Sequence, residues 1–380
     1  MPTSVWLCPE HGKEEWKMTD SVKKMIRKFG LPRIIIVLFF LFLVVCAGAF
    51  QMNLPQFFSD VLRRWGMYGV LALAMVPAIQ CGIGPNFGIT MGIVGGLLGG
   101  LVVIQLDIAQ NPALVAIHPL FAAWVAILAA IVIGVILAVG IGYLYGQLLN
   151  RVKGSEMTVT TYVGFSVIAF MNMVWMLLPF DNGELIWPNA GKGLRNTISL
   201  ASSYSGVMND TLAFSIGDFF VPTGLLLFFF LMCFLVWLFM RSKTGIAMSA
   251  AGTNPMFAKA AGINVNRMRL VGTILSTVLV AVGILVYAQA FGFIQLYNGP
   301  MMMGFTSVAA VLIGGATPRR ASIAHVLIGT FLFQGIMALG LPVVNQFIPE
   351  SNLSEVMRLI ISNGIILYAL AQAKGGDSRE

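Results

Sequence analysis

The chain has 380 residues, 58% of them hydrophobic and only 10% charged, with a net charge of +8 and a mean hydropathy of +0.87. A soluble domain carries roughly 25% charged residues, so this composition excludes a soluble enzyme and describes an all-α, polytopic membrane protein. The positive balance is no sign of a nucleic-acid partner, because the Lys and Arg residues sit in short segments beside apolar runs, where they report orientation.

Cysteine usage adds little: Cys8, Cys46, Cys81 and Cys233 are scattered and imply no disulfide framework. Cys8 and His11 have a metal-like spacing without a second pair, so no metal site is expected. Residues 1–33 are polar and net basic, with Lys23, Lys24, Arg27, Lys28 and Arg33 just before the first apolar run. So long a lead-in, which also holds Glu14, Glu15 and Asp20, reads as a cytoplasmic tail ahead of an uncleaved first span. An amphipathic surface helix is expected from Trp16 to Phe29.

The first span is expected over 34–52, long enough for a ~30 Å hydrocarbon core. Segment 53–64 is then external, and Arg63 and Arg64 run against the positive-inside preference; the apolar pattern around them predicts an interfacial helix. The next apolar run, 65–105, is too long for one helix and is interrupted at Cys81–Gly88, CGIGPNFG. Such a break frees backbone groups that lipid cannot satisfy, so it faces protein or a water-filled path. A tight turn between two helices would use the same residues. Gln105–Pro119 lacks Lys and Arg and reads as external, 120–148 is one span ending at Arg151 and Lys153, and the next lies near 157–178. Segment 179–221 is the largest external loop, although Lys192 and Arg195 lie in it. Further spans are expected at 222–240, 270–292, 303–317, 322–345 and 355–373, then a cytoplasmic tail, 374–380. That gives a transmembrane domain over 34–373 with about ten spans and both termini inside.

Between the runs 222–240 and 270–292 lies the cytoplasmic loop 241–269, and within it GTNPMFAKAAGINVNRMRL. Thr253 or Asn254 can cap a short helix, Pro255 fits its first position, and Gly262 suits the residue past its end. Met256, Phe257 and Ala260 fall on one face, with Lys259, Arg267 and Arg269 marking the side. An ordinary basic loop with an accidental helix would carry the same pattern.

This loop, G-x-N-P-x-x-A-x-x-A-G-I-x-V-x-R-x-R, resembles the coupling loop of ABC-importer permeases of the ribose/sugar, nucleoside and branched-chain amino-acid type. The resemblance implies a helix docked on a separate ATPase, with Asn254, Pro255, Met256, Phe257, Lys259, Ala260, Gly262 and Ile263 at the contact. CGIGPNFG is similar to the family's G-G-I-D-L-S-V-G element, with Gly84 where Asp is usual and Asn86 where Ser is usual. A-A-V-L-I-G-G-A, from Ala309, is similar to A-A-V-V-L-G-G-T. An internal pseudo-repeat accompanies these motifs: Ala78–Gly100 and Ser307–Ile336 each read as an apolar run, a Gly/Pro break and a Gly-rich helix.

The spans hold almost no ionisable residue for proton or sodium coupling; Asp107, Glu156 and His325 lie near span ends. There is no phosphate-binding G-x-x-x-x-G-K-[ST] and no catalytic constellation. The chain is therefore expected to be no enzyme and to hold no cofactor, with ATP and Mg bound by the partner. Polar residues within spans, Gln80, Asn86, Thr90, Asn172, Gln289 and Gln334, are expensive in lipid unless turned inward. With Gly84 and Phe87 they are the candidates for an uncharged path, and helix-to-helix hydrogen bonding is the alternative role for each. The resemblance implies ATPase subunits, a second permease, identical or related, and an extracytoplasmic substrate-binding protein, all at a bacterial inner membrane. The solute expected is small, neutral and polar, sugar-like or nucleoside-like. A stand-alone secondary transporter or channel is the alternative.

Overall fold

The computed structural model describes residues 31–187 and 193–347, together with Val356, Ile360, Asn363, Gly364 and Leu367. The expected surface helix at Trp16–Phe29, Lys192, the tail 374–380 and most of the expected span 355–373 lie outside the described residues. The chain runs through α1 (Leu31–Ala49), α2 (Leu54–Leu73), α3 (Met75–Gln80) and α4 (Thr90–Gln105). Then come α5 (Pro119–Arg151), α6 (Glu156–Leu177), α7 (Thr223–Arg241), α8 (Lys243–Thr253) and α9 (Pro255–Ala260). Last are α10 (Val265–Phe291), α11 (Asn298–Ile313) and α12 (Ile323–Phe347). Among the described residues six helices are long and apolar enough to span a bilayer, and two shorter apolar ones, Arg33–Ala49 and Gly299–Ile313, accompany them.

The bundle is organised around α10, most of which is buried. Glycines let α4 and α5 approach it closely. A Cβ on Gly92 would stand 2.4 Å from the Thr277 carbonyl oxygen, and one on Gly96 2.5 Å from that of Ala281. Gly99 lies as close to the backbone of Ala130 and Gly134 on α5. Without a hydrophobic drive between helices in lipid, such backbone-to-backbone packing is a main source of their cohesion. The same contacts give the chain's directions. Along α10, Gly272, Thr277 and Gly283 meet Cys81, Gly92 and Leu71 respectively, so α2–α3 runs antiparallel to α10 and α4 runs parallel to it.

One end of the bundle, here called the basic end, collects Arg151, Lys153, Arg267 and Arg269 with α9; Arg33 also reaches the Gly315 carbonyl there. The opposite, loop end holds 178–187 and 193–222. The loop contains short strands that an all-helical reading of the sequence does not include. β1 (Thr197–Ser199) pairs antiparallel with β4 (Phe293–Gln295), and β2 (Phe214–Ile216) pairs with β3 (Phe219–Val221). Asn182 ties the loop to the end of α4 through the Ile104 carbonyl.

Two boundaries differ from expectation. No separate interfacial helix covers 53–64; α2 runs unbroken from Leu54 to Leu73. The Asn53 side chain caps it, Pro55 occupies its first turn, and no further proline follows until Pro77 in α3. Arg63 is satisfied locally by Asp60 at 2.8 Å. Helix α11 begins at Asn298 rather than near 303, because Pro300 falls in the first turn, where its missing N–H costs nothing.

Candidate coupling and transport site

At the basic end the loop 241–269 folds as two short helices and a tight return. Asn254 is the cap: its Oδ1 accepts from the Phe257 amide at 3.0 Å, with Pro255 opening α9. Gly262 has φ +78° and receives the chain past the end. Ala258 is fully buried against Ala251 and Val265, which pins α9 to α8 and α10. That leaves Met256 at 83% and Phe257 at 67% exposure, with Lys259 and Ala260 also outward and Ile263 half-buried. An exposed Phe and Met side by side on an anchored helix form an apolar knob fit for an apolar groove.

The two breaks of the pseudo-repeat meet beside this loop. Gln80 donates to the Ala321 carbonyl at 2.7 Å and accepts from Ser249 of α8 at 2.7 Å. A Cβ on Gly84 would lie 3.6 Å from the Pro318 carbonyl oxygen, and Gly82 packs on the backbone of Gly252. Gly82 and Gly84 have φ of +81° and +87°, conformations that glycine tolerates best. The segment Cys81–Asn86 therefore reverses the chain between two antiparallel helices.

Of the polar path candidates, the structure brings few together. Asn86 is 2% exposed, and its Oδ1 accepts from the Gly88 amide at 3.0 Å and from the Tyr145 hydroxyl at 2.7 Å. Phe87 and Thr90 line a narrow cleft between α6 and α11, with Thr161, Phe165, Gly304 and Phe305. Asn172 is half-buried higher on α6. Gln289 lies at the loop end, where its Oε1 accepts from the Met208 amide and its Nε2 is buried without a partner. Gln334 is buried within α12.

The sequence reading missed the junction that holds these parts. It read Arg269, with Lys259 and Arg267, only as a marker of the side, yet Arg269 is 8% exposed. Its guanidinium meets Glu156 at 2.6 Å, Asn150 Oδ1 at 3.2 Å and the carbonyls of Leu149 and Gly82 at 3.3 Å. The available signal was its place between Met268 and Leu270, one turn into α10, with Glu156 the acid opening α6. Tyr145 gave no such signal, being one of two tyrosines, with Tyr143, in an apolar helix.

Comparison with known proteins agrees with this architecture. A family described as "Branched-chain amino acid transport system / permease component" matches residues 57–370. The chain is 32% identical over 111 residues to the "Nucleoside ABC transporter permease protein NupC" of Lactococcus lactis subsp. cremoris (strain MG1363), across 29% of this chain and 35% of that relative. The match thus spans about a third of the relative's length. No solved structure matches. The chain, with its six helices long and apolar enough to cross a membrane among the described residues, belongs to the branched-chain amino acid transport system permease family.

Proposed function

We propose that the chain is the transmembrane half of an ATP-driven importer, powered at its basic end by a separate ABC ATPase that binds ATP and Mg. The observation that carries this reading is α9: a capped helix anchored by buried Ala258 and presenting Met256 and Phe257 to solvent. A channel or self-powered carrier has no use for an apolar knob in water, whereas a docking partner covers it. Among the described residues Arg269 is the buried charged side chain, and its tether to Glu156 makes it a poor proton or sodium site.

The basic end is then cytoplasmic, both termini are inside, and the membrane is a bacterial plasma membrane. A second permease, the same or related, completes the path, and a substrate-binding protein delivers solute to the loop end. The solute class is neutral and polar, sugar-like or nucleoside-like; the similarity to a protein named as a nucleoside permease supports this. Reconstitution tests it: proteoliposomes holding permease, ATPase and binding protein should accumulate the solute that co-purifies with the binding protein, and only with ATP on the basic side. Accumulation without ATPase or ATP would refute the reading.

A further inference from the structure

Arg269 joins four parts of the molecule, and beside it Asn150 and Lys153 add further bonds from the end of α5 to Asn266 of α10. It stands one turn into α10, directly after the Asn264 cap that ends the α9 loop. Its bonds reach the Cys81–Asn86 turn through Gly82, the end of α5 through Leu149 and Asn150, and the start of α6 through Glu156. Glu156 uses its second carboxylate oxygen to accept from the Gly154 amide at 2.8 Å, so both oxygens are engaged.

The elements gripped here differ in how firmly they are held elsewhere. The turn continues into the close-packed α4. Helix α6 buries only Thr160, Gly164, Met171 and Trp175, and Tyr162 at 69% and Leu177 at 80% are among its exposed residues. The cleft beside Phe87 and Thr90 is bounded on one side by α6 and on the other by α11. Buried Ala258 and Val265 pack α9 onto the base of α10, which carries Arg269 and its four hydrogen bonds. Arg269 in turn holds Glu156, the one ion-paired anchor of α6 among the described residues.

We propose that Arg269 is a positioning residue that converts movement of α9 into movement of α6 against α11, opening and closing the cleft floored by Phe87 and Thr90. This rests on the reading of α9 as the ATPase contact. The guanidinium suits the task because its planar fork donates to four acceptors at once, Glu156, Asn150 and the carbonyls of Leu149 and Gly82, one more than the three N–H groups of an ammonium can serve.

The test uses the full permease–ATPase complex with an environment-sensitive fluorophore on Thr161→Cys, in the cleft, and a non-hydrolysable Mg-ATP analogue as trigger. The unaltered junction should give a nucleotide-dependent change in emission. Arg269→Gln and Glu156→Gln should cut its amplitude at least fivefold while the ATPase remains bound, and Arg269→Lys should retain about half. Full amplitude in Arg269→Gln overturns the proposal. So does a loss in all three variants that merely follows loss of assembled complex, since Arg269 would then serve folding alone. A complex with an intact junction that binds no ATPase, or does not respond to nucleotide, sinks the importer reading itself and this inference with it.

Discussion

Helices α4 and α6 both cross the bundle, and they are held in opposite ways. Helix α4 is buried along nearly its whole length, with Gly92, Gly96 and Gly99 drawing backbones within van der Waals reach. Helix α6 buries only Thr160, Gly164, Met171 and Trp175, and its remaining faces carry exposed Phe170, Met173 and Met176. Close packing makes a scaffold, because an interior at crystal-like density cannot deform continuously. Sparse packing leaves a part that can be displaced at low cost. The molecule thus sets a close-packed frame, α4–α5–α10, against a sparsely packed wall, α6, and joins them at the basic end through Arg269 and Glu156.

That contrast can be broken most sharply in the frame. Gly92→Leu would push side-chain atoms into the Thr277 carbonyl and Val280, at a cost of roughly 3 kcal/mol or more. The expected outcome is a steep fall in detergent-stable, monodisperse protein. Retention of normal yield and melting would mean that α4 is not tightly seated.

A smaller effect is expected at the turn. Asn86→Ala removes the acceptor of both the Tyr145 hydroxyl and the Gly88 amide, leaving buried donors unpaired at about 2 kcal/mol. Thermal unfolding should shift downward with solute preference unchanged. A changed preference at unaltered stability would return Asn86 to the transport path.

The smallest effect belongs to the wall. Phe170 on α6 is 63% exposed, and Phe170→Ala should move stability by no more than about 0.5 kcal/mol. A large loss in the isolated protein would show that α6 is clamped by contacts other than those seen here.

Much of this architecture was legible in the sequence because membrane helices must be long, apolar and punctuated by Gly, Pro and basic residues. Asn254-Pro255 and Gly262 marked α9 from both sides, and the structure ends the helix where those residues dictate. The break at 81–88 was equally visible, but its direction was not. Gly and Pro density reports that a helix stops, whereas the return of α4 beside α10 depends on glycines meeting Thr277 and Ala281 nearly two hundred residues away. Arg269 was hidden for a related reason. A cation near a span reads as an orientation marker, and only the fold places Glu156, 113 positions distant, within 2.6 Å of it. Asn86 and Gln289 were legible as polar groups that must turn inward, but not their partners, the Tyr145 hydroxyl and the Met208 amide.

The proposed role of α9 is tested most directly by labelling position 257. With Cys8, Cys46, Cys81 and Cys233 replaced, Phe257→Cys is exposed to a membrane-impermeant maleimide on intact cells and on inside-out vesicles. The account predicts labelling only in inside-out vesicles, and protection from it when the ATPase is bound. Labelling on intact cells, or labelling that bound ATPase leaves unchanged, would contradict it.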